Sequence, residues 1–274
     1  MPALDVDAFR RDGFVIAHNA FSRPAIEDCL REIAAAFNAV AARHGIEPAR
    51  SADMAGLSPV LTGLFKADMP AYLATAKLAQ HAVALHRMGC DEGLMALLKT
   101  LGLEVPVIST RPVLFLMADA LKVPGGYHKT PPHQDWRSIQ GSLDSVVVWT
   151  PLSPSGPGAY PLEVLPGSHL LGLLPSEEDA FGHRVAEDLS NAPFKALTVA
   201  PGEAVILSTL LVHRTGSDGG AGVRGAASFR YNNMAEPSFI ARDYPNPYIY
   251  KPDMRLLADD VATPEKVAAV FGKK

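Results

Sequence analysis

The chain has 274 residues, 48% of them hydrophobic, which is enough to bury a core, and a formal net charge of −4. That balance argues against the basic surface that nucleic acid or an anionic membrane selects, so neither is expected as a partner. Two cysteines, Cys29 and Cys90, exclude a disulfide scaffold; neither has a Cys or His neighbour at ligand spacing, and both read as buried small hydrophobes in a reducing compartment.

The start, MPALDVDAFRRDG, is polar and acidic rather than basic and then apolar, and the longest apolar run, VVVW at 146–149, falls far short of the ~20 residues a membrane helix needs. A cytoplasmic protein is expected. Ser22 is a predicted N-cap with Pro24 in the first turn, opening an amphipathic helix that runs to Gly45 with Leu30, Ile33, Ala34 and Phe37 on one face. A second helical block is predicted over Pro70 to Met88. A third begins at Asp91 and carries Leu94, Leu97, Leu98 and Leu101 to a stop at Gly102. His81 and His86, five apart, share no helical face and read as surface or packing residues.

Beyond Gly102 the pattern changes to short β-rich runs: RPVLFLMA, SVVVWTPL, YPLEVLP, KALTVAP, AVILST and GAASFRYNN, separated by Gly, Pro and Ser. Strands without intervening helices predict an antiparallel sandwich or barrel. Two long connections, ADALKVPGGYHKTPP and LLGLLPSEEDAFGHRVAEDLSNAPF, read as lids or binding loops. A short helix capped by Thr263, with Pro264 at its first position, closes the chain. The whole is read as one domain: a helical part over about 1–102, an all-β core over about 103–234, and a C-terminal loop and helix over 235–274.

Within PPHQDW, a strand's period of two aims His133 and Asp135 to one face and Gln134 to the other. A third donor comes from LLVHRTG, where His213 emerges at the end of the apolar strand AVILST. Two histidines and one carboxylate match the facial ligand set of non-haem Fe(II) oxygenases, with open positions for cosubstrate and dioxygen. The same set also suits a hydrolytic zinc site. His128, His169 and His183 compete for the role less well, being placed in loops or turns. Arg224, eleven residues after His213, and Thr215, two after it, supply a guanidinium and a hydroxyl suited to the far carboxylate of a 2-oxo acid.

Taken in order, FRRDGFVIAHNAFSRPAIEDCLREI, HQDW, SVVVWTPL, LEVLPGSHLLG, VAPGEAVILS and HRTG followed by Arg224 resemble the phytanoyl-CoA dioxygenase family of Fe(II)/2-oxoglutarate oxygenases. The resemblance covers most of the chain. It implies a double-stranded β-helix, a cupin-like jelly roll, with flanking helices. It also implies that His133, Asp135 and His213 ligate Fe(II), that Arg224 and Thr215 hold the C5 carboxylate of 2-oxoglutarate, and that Trp149 lines the pocket beside it. Ser168 and His169 fall in its turn, and Gln134 in its motif, without a chemical role. The implied reaction consumes dioxygen, releases succinate and CO2 and hydroxylates a substrate; retention of Asp135 disfavours halogenation. A zinc hydrolase on the same ligands and a non-catalytic 2-oxo-acid-binding relative are the alternatives.

No clustered Lys/Arg run demands coenzyme A, so a small metabolite is the expected substrate. Arg230 shares strand parity with Arg224 through positions 226 and 228, which makes an anionic substrate group a possible partner. Lys129, Arg137, Tyr127, Trp136 and Asn232 are further candidates for the pocket wall by adjacency alone. Nothing in the sequence bears on oligomeric state.

Overall fold

The computed structural model describes residues 4–124, 129–180, 182–220 and 222–244. Helix α1 (Val6–Asp12) is capped by Asp5 and ends at Gly13, whose φ of 81° lies in the left-handed region. A Cβ there would meet the His169 ring, so both backbone and space require glycine. This turn feeds β1 (Phe14–Ala17).

Helix α2 (Arg23–Ala42) starts at Ser22 as read, with Ile26, Leu30, Ile33 and Phe37 among its buried residues. Next comes α3 (Met54–Ala67), which the sequence hid: Pro59 lies inside it and Gly56 and Gly63 interrupt its pattern. The predicted block over 70–88 divides into α4 (Met69–Ala79) and α5 (Val83–Gly89). The break stacks the rings of His81 and His86 at a centroid distance of 6.2 Å, which an unbroken helix would keep apart. Helix α6 (Glu92–Thr100) follows its Asp91 cap and buries Leu94, Leu97 and Leu98. Cys29 is buried as read, but Cys90, at the exposed end of α5, is not.

The remainder is mostly antiparallel sheet. Strands β2 (Pro106–Ile108), β3 (Val113–Met117), β4 (Val146–Pro151), β9 (Ala204–Ser208) and β11 (Arg224–Asn233) join β1 in a six-stranded sheet. Its order is β1-β9-β4-β11-β2, with β3 also paired to β11. Strands β5 (Leu162–Val164), β8 (Lys195–Ala196) and β10 (His213–Thr215) form a second sheet, ordered β10-β5-β8. The fold is a cupin-like jelly roll with helices flanking its sheets.

Alternation along the strands divides the burial. Val146, Val148, Ala204, Ile206, Phe229 and Tyr231 turn to the helices, while Val147, Trp149, Val205 and Leu207 turn to Leu162 and Val164 of the smaller sheet. The Tyr231 hydroxyl donates to Gly89 O at 2.6 Å, fastening the helical layer to β11. The long insertion contains a hairpin, β6 (Ser176–Glu178) and β7 (His183–Val185). After β11, Glu236 caps α8 (Pro237–Ala241), and the helix predicted at Thr263 and Pro264 lies outside the described residues. No helix among the described residues is long and apolar enough to cross a membrane.

Candidate active site

His133 and His213 form an antiparallel bridge in which each amide donates to the other's carbonyl at 3.1 Å. Directly opposed residues of such a pair present their side chains to one face, and the two imidazole centroids stand 4.2 Å apart. Asp135 arrives differently from the expected strand alternation. Its backbone is already helical, heading α7 (Trp136–Ile139), and Trp136 N–H donates to Thr209 O at 2.9 Å. A bridge followed by a helical turn, rather than a continuous strand, therefore aligns His133 with Asp135. One donor atom from each of His133, Asp135 and His213 lies within 4.8 Å of the others, and all three residues are buried.

Around the triad, hydrogen bonds decide which atoms remain available. Nδ1 of His133 lies 2.8 Å from Pro131 O, and Nδ1 of His213 lies 3.0 Å from Leu211 O. A carbonyl can only accept, so both rings carry their proton on Nδ1, and Nε2 is the nitrogen of each that bears the lone pair. Arg230 donates from Nε to Asp135 Oδ2 at 3.0 Å, with Nη2 also at 3.0 Å, while Oδ1 faces His133 Nε2 at 3.4 Å. Burial alone would raise the Asp135 pKa, but Arg230 and the histidines outweigh it and hold the carboxyl far below the usual range. Burial, reinforced by His133, pushes the His213 imidazole down to about 4, so it is a neutral donor at pH 7.

A cavity of about 460 Å³ opens over these donors, within the range of small-molecule sites. Arg224, at the start of β11, is buried in its wall: Nε donates to Tyr160 O at 3.2 Å, and the guanidinium lies 5.5 Å from the Trp149 ring centroid. Its Nη1 has no partner among the described residues. Thr215 Oγ1 lies 2.7 Å from Thr130 Oγ1, and both threonines line the cavity.

The phytanoyl-CoA dioxygenase (PhyH) family profile matches residues 9–226. The chain belongs to this family. Solved structures agree on the fold, at identities too low to say more. ThoJ, a non-heme monooxygenase in its apo form, gives a TM-score of 0.58 at 20% identity over 83% of this chain and 76% of that one. The epimerase SnoN, in complex with Fe3+, alpha ketoglutarate and nogalamycin RO, gives 0.55 at 16% identity over 91% of each chain. EctD from S. alaskensis, with 2-oxoglutarate and 5-hydroxyectoine, gives 0.53 at 17% identity over 84% of this chain and 76% of that one. A search of curated proteins found no match.

As a phytanoyl-CoA dioxygenase relative, the protein is an Fe(II)- and 2-oxoglutarate-dependent oxygenase, and its side chains fit both groups. Two imidazoles and a carboxylate held ionised form a facial donor set for ferrous iron. The unpaired N–H of buried Arg224 is the kind of donor a cosubstrate carboxylate would satisfy.

The remaining sequence candidates separate in space. Arg137 and Arg230 line the cavity. Lys129 does not; its Nζ donates to Ser217 O at 2.8 Å and lies 5.3 Å from the Tyr160 ring centroid. Trp136 turns away on α7, donating to Ser142 O, with the Arg242 guanidinium 5.5 Å from its ring. Asn232 is buried where a Cβ on Gly141 would collide with its amide, away from the cavity. Tyr127 and His128 lie outside the described residues.

Other cavity and supporting residues had no local signal. Thr130 becomes visible only if the His133 and His213 segments are paired, since Thr215 N–H donates to Thr130 O in the same register. Gln134, assigned no role from sequence, donates to Gly172 O and Leu210 O at 2.8 and 2.6 Å and accepts from Leu174 N–H at 2.8 Å. Ser168, read as a turn residue, accepts from Val212 N–H at 2.9 Å, steadying the approach to His213. His183, set aside as a ligand, lines the cavity from the hairpin.

Proposed function

We propose that this oxygenase hydroxylates a small-molecule metabolite, with His133, Asp135 and His213 holding Fe(II) and Arg224 with Thr215 holding the C5 carboxylate of 2-oxoglutarate. The observation that carries the reading is the convergence of three buried donors, two of them imidazoles whose Nδ1 is engaged by a backbone carbonyl, on a cavity that also presents an unpaired arginine N–H. Bound iron and 2-oxoglutarate would supply the activation of dioxygen, coupled to release of succinate and CO2.

The protein's own share is placement. Leu211 O and Pro131 O fix both histidine tautomers, and Arg230 occupies one carboxylate oxygen so that Asp135 offers the other. Arg224 sets the length of acid that fits beneath Trp149, which walls the cosubstrate's side of the cavity. Retention of Asp135 favours oxygen insertion over halide transfer, since no ligand position is vacated for a halide. A one-domain organisation and a reducing, cytoplasmic setting complete the reading; two unpaired thiols support the latter.

The test is anaerobic titration of the purified protein with Fe(II) and 2-oxoglutarate. A visible metal-to-ligand charge-transfer band is expected, absent in His213→Ala. A zinc hydrolase on these ligands would give no band in the wild type. A non-catalytic relative would give the band yet release no succinate on admission of oxygen.

A further inference from the structure

Four guanidinium groups line the cavity, from Arg111, Arg137, Arg224 and Arg230, against a single carboxylate among the described lining residues, that of Asp135. Arg230 is neutralised by Asp135 through its paired contacts. On the proposed function, on which this inference rests for the deep end, Arg224 answers the cosubstrate. Arg111 and Arg137 remain, and neither has an acidic partner among the described residues.

Their placement suits a substrate rather than the fold. Arg111 stands exposed just before β3, and Arg137 is half-buried on α7, two residues past Asp135, with Nη2 donating to Leu174 O at 3.0 Å. Exposed Ser138 and His183 share this outer part of the cavity, whereas Val147, Trp149, Leu162 and Leu207 in its wall are buried and mostly apolar. Uncompensated cations at the mouth of a concave, low-dielectric site concentrate its positive field on whatever enters. A guanidinium fork matches a carboxylate or phosphate better than a neutral hydroxyl.

We infer that the substrate carries an anionic group, a carboxylate or a phosphate monoester, held by Arg111 and Arg137 at the cavity mouth while its apolar part reaches toward the His133, Asp135 and His213 cluster. Arg230 takes no direct part, because its charge is already matched.

The experiment uses full-length protein loaded with Ni(II) and saturating 2-oxoglutarate, so that the metal and Arg224 are occupied. Phenyl phosphate, benzoate and uncharged benzyl alcohol are titrated calorimetrically. Saturable binding of at least one acid is expected, at least tenfold tighter than benzyl alcohol, and the stronger acid identifies the class of group. Arg111→Gln and Arg137→Gln should each weaken it about tenfold, the usual effect of losing one charge-assisted contact. Because Arg137 also bonds Leu174 O, Arg111→Gln, which breaks no hydrogen bond of Arg111 within the described protein, keeps the test decisive. No saturable binding of either acid, or wild-type affinity in the double variant, overturns the inference. Separate Fe(II) titration distinguishes the two readings: a normal charge-transfer band without acid binding sinks only the anionic substrate, whereas acid binding that depends on Arg111 without a band sinks only the oxygenase assignment.

Discussion

Arg230 places two N–H groups on one oxygen of Asp135 and a third on Ser228 Oγ at 3.1 Å, so its replacement exposes what a buried charge costs. Removing one member of a buried pair strands the other, typically at about 3–5 kcal/mol. Arg230→Gln should therefore lower the metal-free protein's unfolding free energy by about 3 kcal/mol in chemical denaturation. Saturating Ni(II) should recover a large part of that loss, because the metal then supplies the positive charge Asp135 requires. Equal destabilisation with and without metal would show that the pair serves packing alone. Arg224→Ala acts elsewhere: the 2-oxoglutarate concentration that half-saturates the charge-transfer band should rise about 10- to 100-fold, with Ni(II) affinity changed less than about threefold. A parallel loss of metal affinity would disconnect Arg224 from the cosubstrate.

At the level of elements, the β6–β7 hairpin is tied to the segment carrying His133 and Asp135 by Gln134, by Val185 N–H donating to Pro132 O at 2.8 Å, and by Arg137. Gln134→Ala removes three hydrogen bonds at once. The amides of Leu174 and Val185 should then exchange about tenfold or more faster, with the histidine bridge and Ni(II) affinity nearly intact; unchanged exchange would place the hairpin's anchor elsewhere. The triad residues were legible because His-x-Asp is local and His213 follows a strongly apolar strand, although the local geometry is a bridge and a helical turn. Helix α3 was not, since Pro59 and two glycines mimic a loop, and three-residue strands such as β6 and β7 carry too few positions to show a period. Adjacency misled for Trp136, because the turn that delivers Asp135 swings the next residue outward. Parity succeeded for Arg230, because β11 is a regular ten-residue strand.

For the molecule as a whole, the buried imidazole of His213 couples folding to pH. Its pKa is near the ordinary 6.5 when unfolded and about 4 when folded, so the unfolded chain binds more protons between those values. That contribution to stability is complete above pH 6.5 and is lost as the pH falls toward 4, by at most about 3 kcal/mol. Asp135 acts in a separate window: its depressed pKa contributes stability at neutral pH that disappears only below the ordinary carboxylate value of 3.8. Denaturation of metal-free protein at pH 7, 5.5 and 4.5 should show the first loss, and His213→Asn should flatten it; an unaltered slope in that variant would assign the dependence to other groups.

Strand β11 lays Ala227, Phe229 and Tyr231 against the helices and Arg224, Ser228 and Arg230 toward the reaction chamber. Because every second side chain answers to a different neighbour, mutation can retool one ledge while leaving the load on the other untouched. The small residue at 228 is thus spare room already in place: enlarging it would crop the chamber between two fixed arginines and narrow the choice of guest.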